Sequence, residues 1–167
     1  MNTDFFDEDV LTVAPKLLGK ILVRKFEDGT EIRLRITEIE AYRGEEDLAC
    51  HARKGKTTRA KTMYMNAGTI YVYLIYGMYW MLNIVTASKD IPQAILIRGI
   101  EGFDGPGKLT KKLQIDKSFN EKNIFTNGKL YIEDDGFIPK FETKKRIGID
   151  YAGDIWKNKL WRWIIVY

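Results

Sequence analysis

Glu31-Ile32-Arg33-Leu34-Arg35-Ile36-Thr37-Glu38-Ile39-Glu40-Ala41-Tyr42 is a strand-like segment whose two halves pull in different directions. Side chains alternate across a strand, so Ile32, Leu34 and Ile36 share one face. The same parity carried onward puts Glu38, Glu40 and Tyr42 at the end of that apolar face. Charged side chains are almost never fully buried unless paired. Two readings follow. In one, the strand end emerges into solvent or a bulge flips its parity. In the other, the segment walls a cleft and carries a carboxylate whose pKa is raised, able to act as a base.

The rest of the chain is read outward from this strand. Ile21 to Lys25 pairs with Glu31 to Ala41 through a turn at Asp28-Gly29, where both residues can take positive φ. Upstream, Thr12 is expected to cap a short helix with Pro15 in its first turn, Leu17 and Leu18 inward and Gly19 as its stop. Downstream, Thr69 to Ile75, Trp80 to Thr86 and Ala94 to Ile100 are strand-like. Gly105-Pro106-Gly107 opens a short helix through Leu113. Asn127-Gly128 marks a hairpin between Ile124-Phe125 and Leu130-Tyr131-Ile132, and Arg146 to Ile149 and Leu160 to Val166 read as closing strands. Strands dominate and the connections are short. The expected fold is one α+β domain over residues 1–167, a mostly antiparallel sheet with short surrounding helices.

Composition bounds the function. The chain has 167 residues, enough to bury about two-thirds of its unfolded surface without staples. One cysteine, Cys50, excludes an internal disulfide framework and points to a reducing compartment. With a single histidine, His51, the chain lacks the soft ligands of a zinc site, so no metal is expected. The net charge of +4 permits nucleic acid as a partner without requiring it. The acidic start, Asp4-Phe5-Phe6-Asp7-Glu8-Asp9, does not fit a signal peptide. Thr62 to Ser88 is free of charge, but Asn66, Asn83, Gly68, Gly77 and Tyr71, Tyr73, Tyr76 and Tyr79 interrupt it, which favours buried strands over a membrane span.

Several motifs are set aside. Gly102-Phe103-Asp104-Gly105-Pro106-Gly107-Lys108-Leu109 approaches a phosphate-binding loop. It has Leu where the magnesium-binding hydroxyl belongs, and Pro106 lacks an N–H, so a glycine turn before a helix is the better reading. Cys50-His51 has no partner Cys-x-x-Cys, and no Gly-x-Ser-x-Gly elbow accompanies the lone histidine. What remains is a basic run, Arg53, Lys54, Lys56, Arg59 and Lys61, followed directly by Tyr71, Tyr73 and Tyr76. Alone, the run is a solvated loop and the tyrosines are core packing. Together they suit a nucleic-acid surface, with cations for phosphates and flat rings for bases.

At this point the chain resembles the alkyladenine (3-methyladenine, or methylpurine) DNA glycosylases along nearly its whole length. The resemblance is densest in Glu38-Ile39-Glu40-Ala41-Tyr42-Arg43-Gly44, Asp47 to His51, Gly68 to Tyr79 and Asn83-Ile84. It continues through Leu96-Ile97-Arg98, Gly105 to Leu109 and Arg146-Ile147-Gly148. It implies a curved antiparallel sheet and a monofunctional enzyme that flips a damaged purine out of duplex DNA and hydrolyses its N-glycosidic bond. No cofactor is implied. Glu40 matches the general base and Arg98 the residue that helps hold the attacking water. Tyr42, His51 and Tyr73 match the pocket for the flipped base, Asn83 the residue that disfavours the 2-amino group of guanine, and Tyr76 the wedge that fills the vacated stack. Glu38 carries no role over. Phosphate contacts from Arg53, Lys54, Lys56, Arg59 and Lys61 are expected, although this loop departs from the family in detail. A monomer acting on double-stranded DNA in the cytoplasm, nucleoid-associated if prokaryotic, is the corresponding expectation. The competing reading is a non-catalytic single-strand-binding module with the same basic and aromatic surface; a third is an RNA base-modifying enzyme. Glu40 discriminates, because pure binding has no use for a carboxylate beside the rings.

Overall fold

A computed structural model describes residues 2–167. Helix α1 spans Val10–Leu17 and presents Val10, Val13, Ala14 and Leu17 to the core. Its cap is Asp9, whose carboxylate accepts from the Leu11 N–H at 3.0 Å. Thr12, the expected cap, lies inside the helix. The orphan N–H groups open one residue before the apolar stripe begins, and Asp9 occupies that place.

Strands β1 (Ile21–Lys25) and β2 (Glu31–Arg43) form the expected hairpin. Its loop is longer than a two-residue turn. Phe26 and Thr30 close it by a 2.9 Å hydrogen bond, and only Gly29 takes positive φ. A three-residue loop needs one left-handed residue rather than two. The sheet continues with β3 (Ile70–Ile75), β4 (Tyr79–Val85), β5 (Gln93–Ile100) and the two-residue β6 (Phe103–Asp104). After helix α2 (Pro106–Lys112) come β7 (Leu130–Glu133), β8 (Phe141–Lys144), helix α3 (Gly153–Lys157) and β9 (Arg162–Ile165). Among the described residues, nine strands, all antiparallel, lie in one sheet of order β3-β4-β5-β2-β1-β7, with β6 on β5 and β8-β9 joined to β2. The sheet does not close, and the fold is mixed α+β as the sequence pattern predicts.

Two expected strands are absent. Ile124-Phe125 is irregular because asparagine side chains take over its backbone groups. Asn123 accepts from the Phe125 N–H, and Asn127 bonds Asn123, Lys129 and Leu130. That frees β7 to pair with β1 instead. Arg146 to Ile149 is also irregular, because its polar groups turn inward to side chains in the site described below. The uncharged stretch from Thr62 to Ser88 holds β3 and β4, and no helix among the described residues is long and apolar enough to cross a membrane. The glycine-rich turn at Gly105 caps α2, and Gly107 lies against the Tyr79 ring, where a Cβ would sit 2.7 Å from Cδ1.

The conflict within β2 is resolved by paired irregularities. Ile36 faces Ile100 and Glu38 faces Gly99, so Thr37 is extra on β2; Ile39 then faces Ile97, so Arg98 is extra on β5. Past Thr37 the parity has flipped. Ile39 and Ala41 now join Ile36 in the core, and Glu40 and Tyr42 point to the other face. That core also holds Ile70 and Val72 of β3, Leu82 and Ile84 of β4, and Ile95 and Ile97 of β5, under α1 and α2. The opposite face carries the polar and aromatic residues. Gly99 permits the close approach at this bulge, since a Cβ there would meet Thr37 Oγ1 at 2.9 Å and Glu38 Cβ at 3.1 Å. Gly99→Ala should therefore destabilise the fold by about 1–3 kcal/mol through overpacking. Urea denaturation measures this as a lower midpoint at unchanged slope.

Candidate active site

Register assembles the site floor. Tyr71 pairs with Asn83, Asn83 with Leu96, and Leu96 with Glu40, a single cross-strand row over β3, β4, β5 and β2. Tyr73 and Met81 lie in the row beside it. Above the floor opens a cavity of about 530 Å³, within the usual size for a small-molecule site. Its lining includes Tyr42, His51, Arg59, Tyr71, Tyr73, Asn83 and Arg98. The loop after β2 supplies one wall through the short turn His51–Lys54, and residues 147–151 supply another. Thus Tyr42, His51, Tyr73, Asn83 and Arg98, far apart in sequence, meet around one cavity.

Glu40 lies beneath this lining with no exposed surface. Tyr42 donates its hydroxyl to Oε2 at 2.8 Å, and the Ile147 N–H donates to Oε1 at 2.7 Å. Arg98 Nε stands 3.5 Å from Oε1. Burial nevertheless dominates and raises the Glu40 pKa above the usual carboxylate value, against the lowering pull of Arg98 and the two hydrogen bonds. Burial also raises the Tyr42 phenol, with Glu40 beside it adding to the shift. Glu38 plays a supporting part, bridging Arg98 Nε at 3.3 Å and Arg162 Nη1 at 2.8 Å.

The histidine tautomer follows from a donor count. Tyr71 donates its only hydroxyl proton to the Arg59 carbonyl at 2.9 Å. Its 2.8 Å contact with His51 Nδ1 therefore requires Nδ1–H to donate to the Tyr71 oxygen. Burial, with Arg59 and Arg53 nearby, lowers the His51 pKa to about 4. The ring is neutral at physiological pH, and Nε2 carries a lone pair rather than a proton. His51 also packs edge-on against Tyr73, with centroids 4.6 Å apart. Asn83 is buried and donates to the carbonyls of Tyr71 at 3.2 Å and Met81 at 3.4 Å, so its side chain is fixed.

The basic run is not uniform. All five residues are exposed. The Arg59 guanidinium lies over the Tyr73 ring at 5.1 Å and lines the cavity. Arg53 lies over Tyr151 at 5.1 Å. Lys56 and Lys61 pair with Asp90 and Glu121 at 3.3 and 3.2 Å. Tyr76 projects from the β3–β4 turn, 87% exposed and with φ of 49°, at the cavity edge. That exposure removes it from the core. Cys50 is buried and its thiol is pushed up to about 12, mainly by that burial, so it is no nucleophile.

Sequence reasoning did not place Tyr151, Asp47, Arg146 or the Ile147 N–H in the site. Tyr151 lines the cavity and donates to the Ala49 carbonyl at 3.1 Å. Tyr71 shares the parity of Tyr73, and that was the one local signal for its place here.

The family model described as methylpurine-DNA glycosylase (MPG) matches residues 4–105 and 102–166. This chain belongs to that family. A relative from Borreliella burgdorferi (strain ZS7), named "Putative 3-methyladenine DNA glycosylase", is 46% identical over 179 residues, covering 99% of this chain and 95% of its own. Relatives of the same name from Clostridium perfringens (strain 13 / Type A) and Methanocella arvoryzae are 40% and 44% identical, over 99% and 90% of this chain and 95% and 85% of theirs. The resemblance read from the motifs is thus the family itself.

The His51 environment has a measurable consequence. A folded pKa near 4 against an ordinary 6.5 means that the unfolded chain binds the proton first as pH falls. His51 should therefore cost stability progressively between pH 6.5 and pH 4, by roughly 2–3 kcal/mol in all. Thermal melts over this range should show a shallower acid decline for His51→Gln than for wild type.

Proposed function

We propose that this protein is a monofunctional DNA glycosylase acting on duplex DNA, which flips alkylated or deaminated purines into the cavity and hydrolyses their N-glycosidic bond. The observation that carries this reading is the Glu40 carboxylate, buried beneath a cavity roomy enough for a flipped purine and held by Tyr42, Ile147 and Arg98. A module that only binds single strands has no use for a buried carboxylate, which repels phosphate. Glu40 serves as the base. It takes a proton from a water whose oxygen bonds to C1′, while the C1′–N bond breaks and the purine leaves with the electron pair. An N-alkylated cationic purine leaves as a neutral base, with no acid required. The charge of Glu40 also favours the oxocarbenium-like transition state. Arg98 lies at Glu40 and the cavity lining, where it can orient the water.

Selectivity rests on several modest contributions. Tyr42 and Tyr73 offer electron-rich faces, and cations on such faces gain about 0.5–2 kcal/mol. His51 contributes an acceptor at Nε2, since its Nδ1 proton is committed to Tyr71. It therefore does not act as the acid for a neutral lesion. Asn83, tied to two main-chain carbonyls, cannot swing aside for a 2-amino group. Tyr76 enters the minor groove as the wedge. Arg53, Lys54 and Arg59 contact phosphates near the cavity mouth, with Lys56 and Lys61 exchanging their acidic partners for DNA.

The decisive experiment is single-turnover excision from duplexes holding one alkylated purine or one hypoxanthine, with alkali to reveal abasic sites. Wild type should excise without nicking. Glu40→Gln should lose excision while binding lesion DNA within about tenfold of wild type. Near-normal turnover by that variant rejects Glu40 as the base. For wild type, the rate should fall on the acid side along a limb centred above 4.5, because burial raises the Glu40 pKa. Tyr76→Ala should melt as wild type does, since the ring is exposed, yet bind lesions more weakly. The missing plug lets the base restack, a difference set by an unstacking cost of a few kcal/mol. A mismatch opposite the lesion should shrink the defect, and an equal loss on paired and mispaired lesions rejects the wedge.

A further inference from the structure

One charged pair lies wholly inside the protein next to the site, and the proposed reaction gives it no direct task. The side chains of Asp47 and Arg146 both have zero exposure. They meet through two hydrogen bonds, Nη1 to Oδ2 at 2.6 Å and Nη2 to Oδ1 at 2.9 Å. Nη1 also donates to the Ala41 carbonyl at 2.9 Å and Nη2 to the Trp156 carbonyl at 3.4 Å. The guanidinium packs over the rings of Tyr42 and Trp161, at 4.9 and 5.1 Å. Asp47 in turn accepts from the backbone N–H groups of Arg43 and Ala49, at 3.1 and 3.0 Å.

Stability alone does not account for such a pair. Desolvating two charges costs about as much as their attraction returns, and well-packed apolar residues of similar volume often serve as well or better. What apolar residues cannot supply is direction. Several bonds in this network end beside a group the reaction uses. Ala41 lies between Glu40 and Tyr42. Ala49 lies two residues before His51. The Arg146 carbonyl belongs to the same peptide plane as the Ile147 N–H, which donates to Glu40. Residues 146–148 lie outside any strand or helix, and among the described residues no backbone-to-backbone hydrogen bond holds them. The guanidinium bonds anchor that peptide on one side, and Arg162 Nε, which donates to the Lys145 carbonyl at 2.7 Å, holds the residue before it.

We infer that Asp47 and Arg146 are positioning residues that aim the Ile147 N–H at Glu40 and hold Glu40, Tyr42 and the His51 turn in one geometry. The inference rests on the proposed role of Glu40, and it predicts more than a general loss of folding. Without the pair, the Ile147 peptide is free to turn away, and Glu40 loses a hydrogen bond to its charged form together with the nearby guanidinium charge. The other groups facing Glu40 are Tyr42 and Glu38 on β2, Arg98 on β5, Tyr73 on β3, and Arg162 on β9 acting through Glu38. The proton affinity of Glu40 must then rise.

The test replaces the pair by apolar residues of similar size, Asp47→Leu with Arg146→Met, so that no charge is left buried alone. Asp47→Asn is the milder companion, keeping shape and removing charge. Two readouts are taken: the Glu40 carboxyl ¹³C shift against pH by NMR, and the single-turnover rate against pH. The expected result is a folded double variant whose Glu40 titrates at higher pH. Its acid limb should move up by the same interval, and its plateau rate should fall at least tenfold with lesion binding within threefold. Asp47→Asn should move each quantity in the same direction by less. If the double variant does not fold, the titration shift in Asp47→Asn decides. A folded variant with an unmoved Glu40 titration overturns the inference. The titration needs no turnover, so absent excision by wild type would instead overturn the proposed function.

Discussion

A carboxylate withdrawn completely from water is the constraint around which this molecule is arranged. Desolvation raises the free energy of the ionised Glu40, and only donors supplied by the protein offset it. The offset comes from three places: the Tyr42 hydroxyl two residues along the same strand, the charge of Arg98 on the neighbouring strand, and the Ile147 N–H more than a hundred residues later. Satisfying Glu40 therefore obliges the C-terminal segment to return across the face of the sheet. The C-terminal segment and the central strand thus close around the site together.

The sheet separates two jobs by its faces. One face is aliphatic and packs under α1 and α2, with Ile36, Ile39, Ile70, Leu82, Ile95 and Ile97 fully buried. The other is aromatic and polar and forms the cavity floor. A regular ladder would have sent Glu40 to the same face as Ile36. The extra residue at Thr37, matched by Arg98 on β5, moves Glu40 and Tyr42 to the cavity side and Ile39 and Ala41 into the core. The irregularity thus supplies in one place the buried carboxylate and the cation beside it, while Gly99 makes room for the two backbones to approach.

Electrostatics within the cavity are set by chained donors. Because Tyr71 passes its proton to a carbonyl, His51 must give up the Nδ1 proton, and the neutral ring shows an acceptor. The neighbouring arginines and burial keep it neutral well below physiological pH. A pocket with electron-rich rings, an imidazole acceptor and a buried carboxylate suits an electron-poor guest. An N-alkylated purine is such a guest, and it is also the better leaving group. Under the proposed function, binding preference and chemical lability favour the same base.

Much of this was legible from local chemistry. The period-two runs over β3, β4 and β5, the Gly-Pro start of α2 and the shared parity of Tyr71 and Tyr73 depend on residues close in sequence. Motif order was enough to name the family, and with it the residues that line the cavity. Where asparagine side chains replaced ladder bonds between Asn123 and Leu130, or Asp9 took the cap assigned to Thr12, several local solutions were open and packing chose among them. The face reached by Glu40 lay beyond local reading, because a bulge is a property of two strands and the compensating residue, Arg98, is on the other one. The pairing of Asp47 with Arg146, 99 residues apart, was equally silent, as was the irregular path it gives to a segment that looked like a strand. The sequence by itself determined which side chains were available and which elements would form. Tertiary structure decided which face each side chain serves, which atoms carry protons and which charges are buried, because those follow from hydrogen bonds between segments that no local period relates.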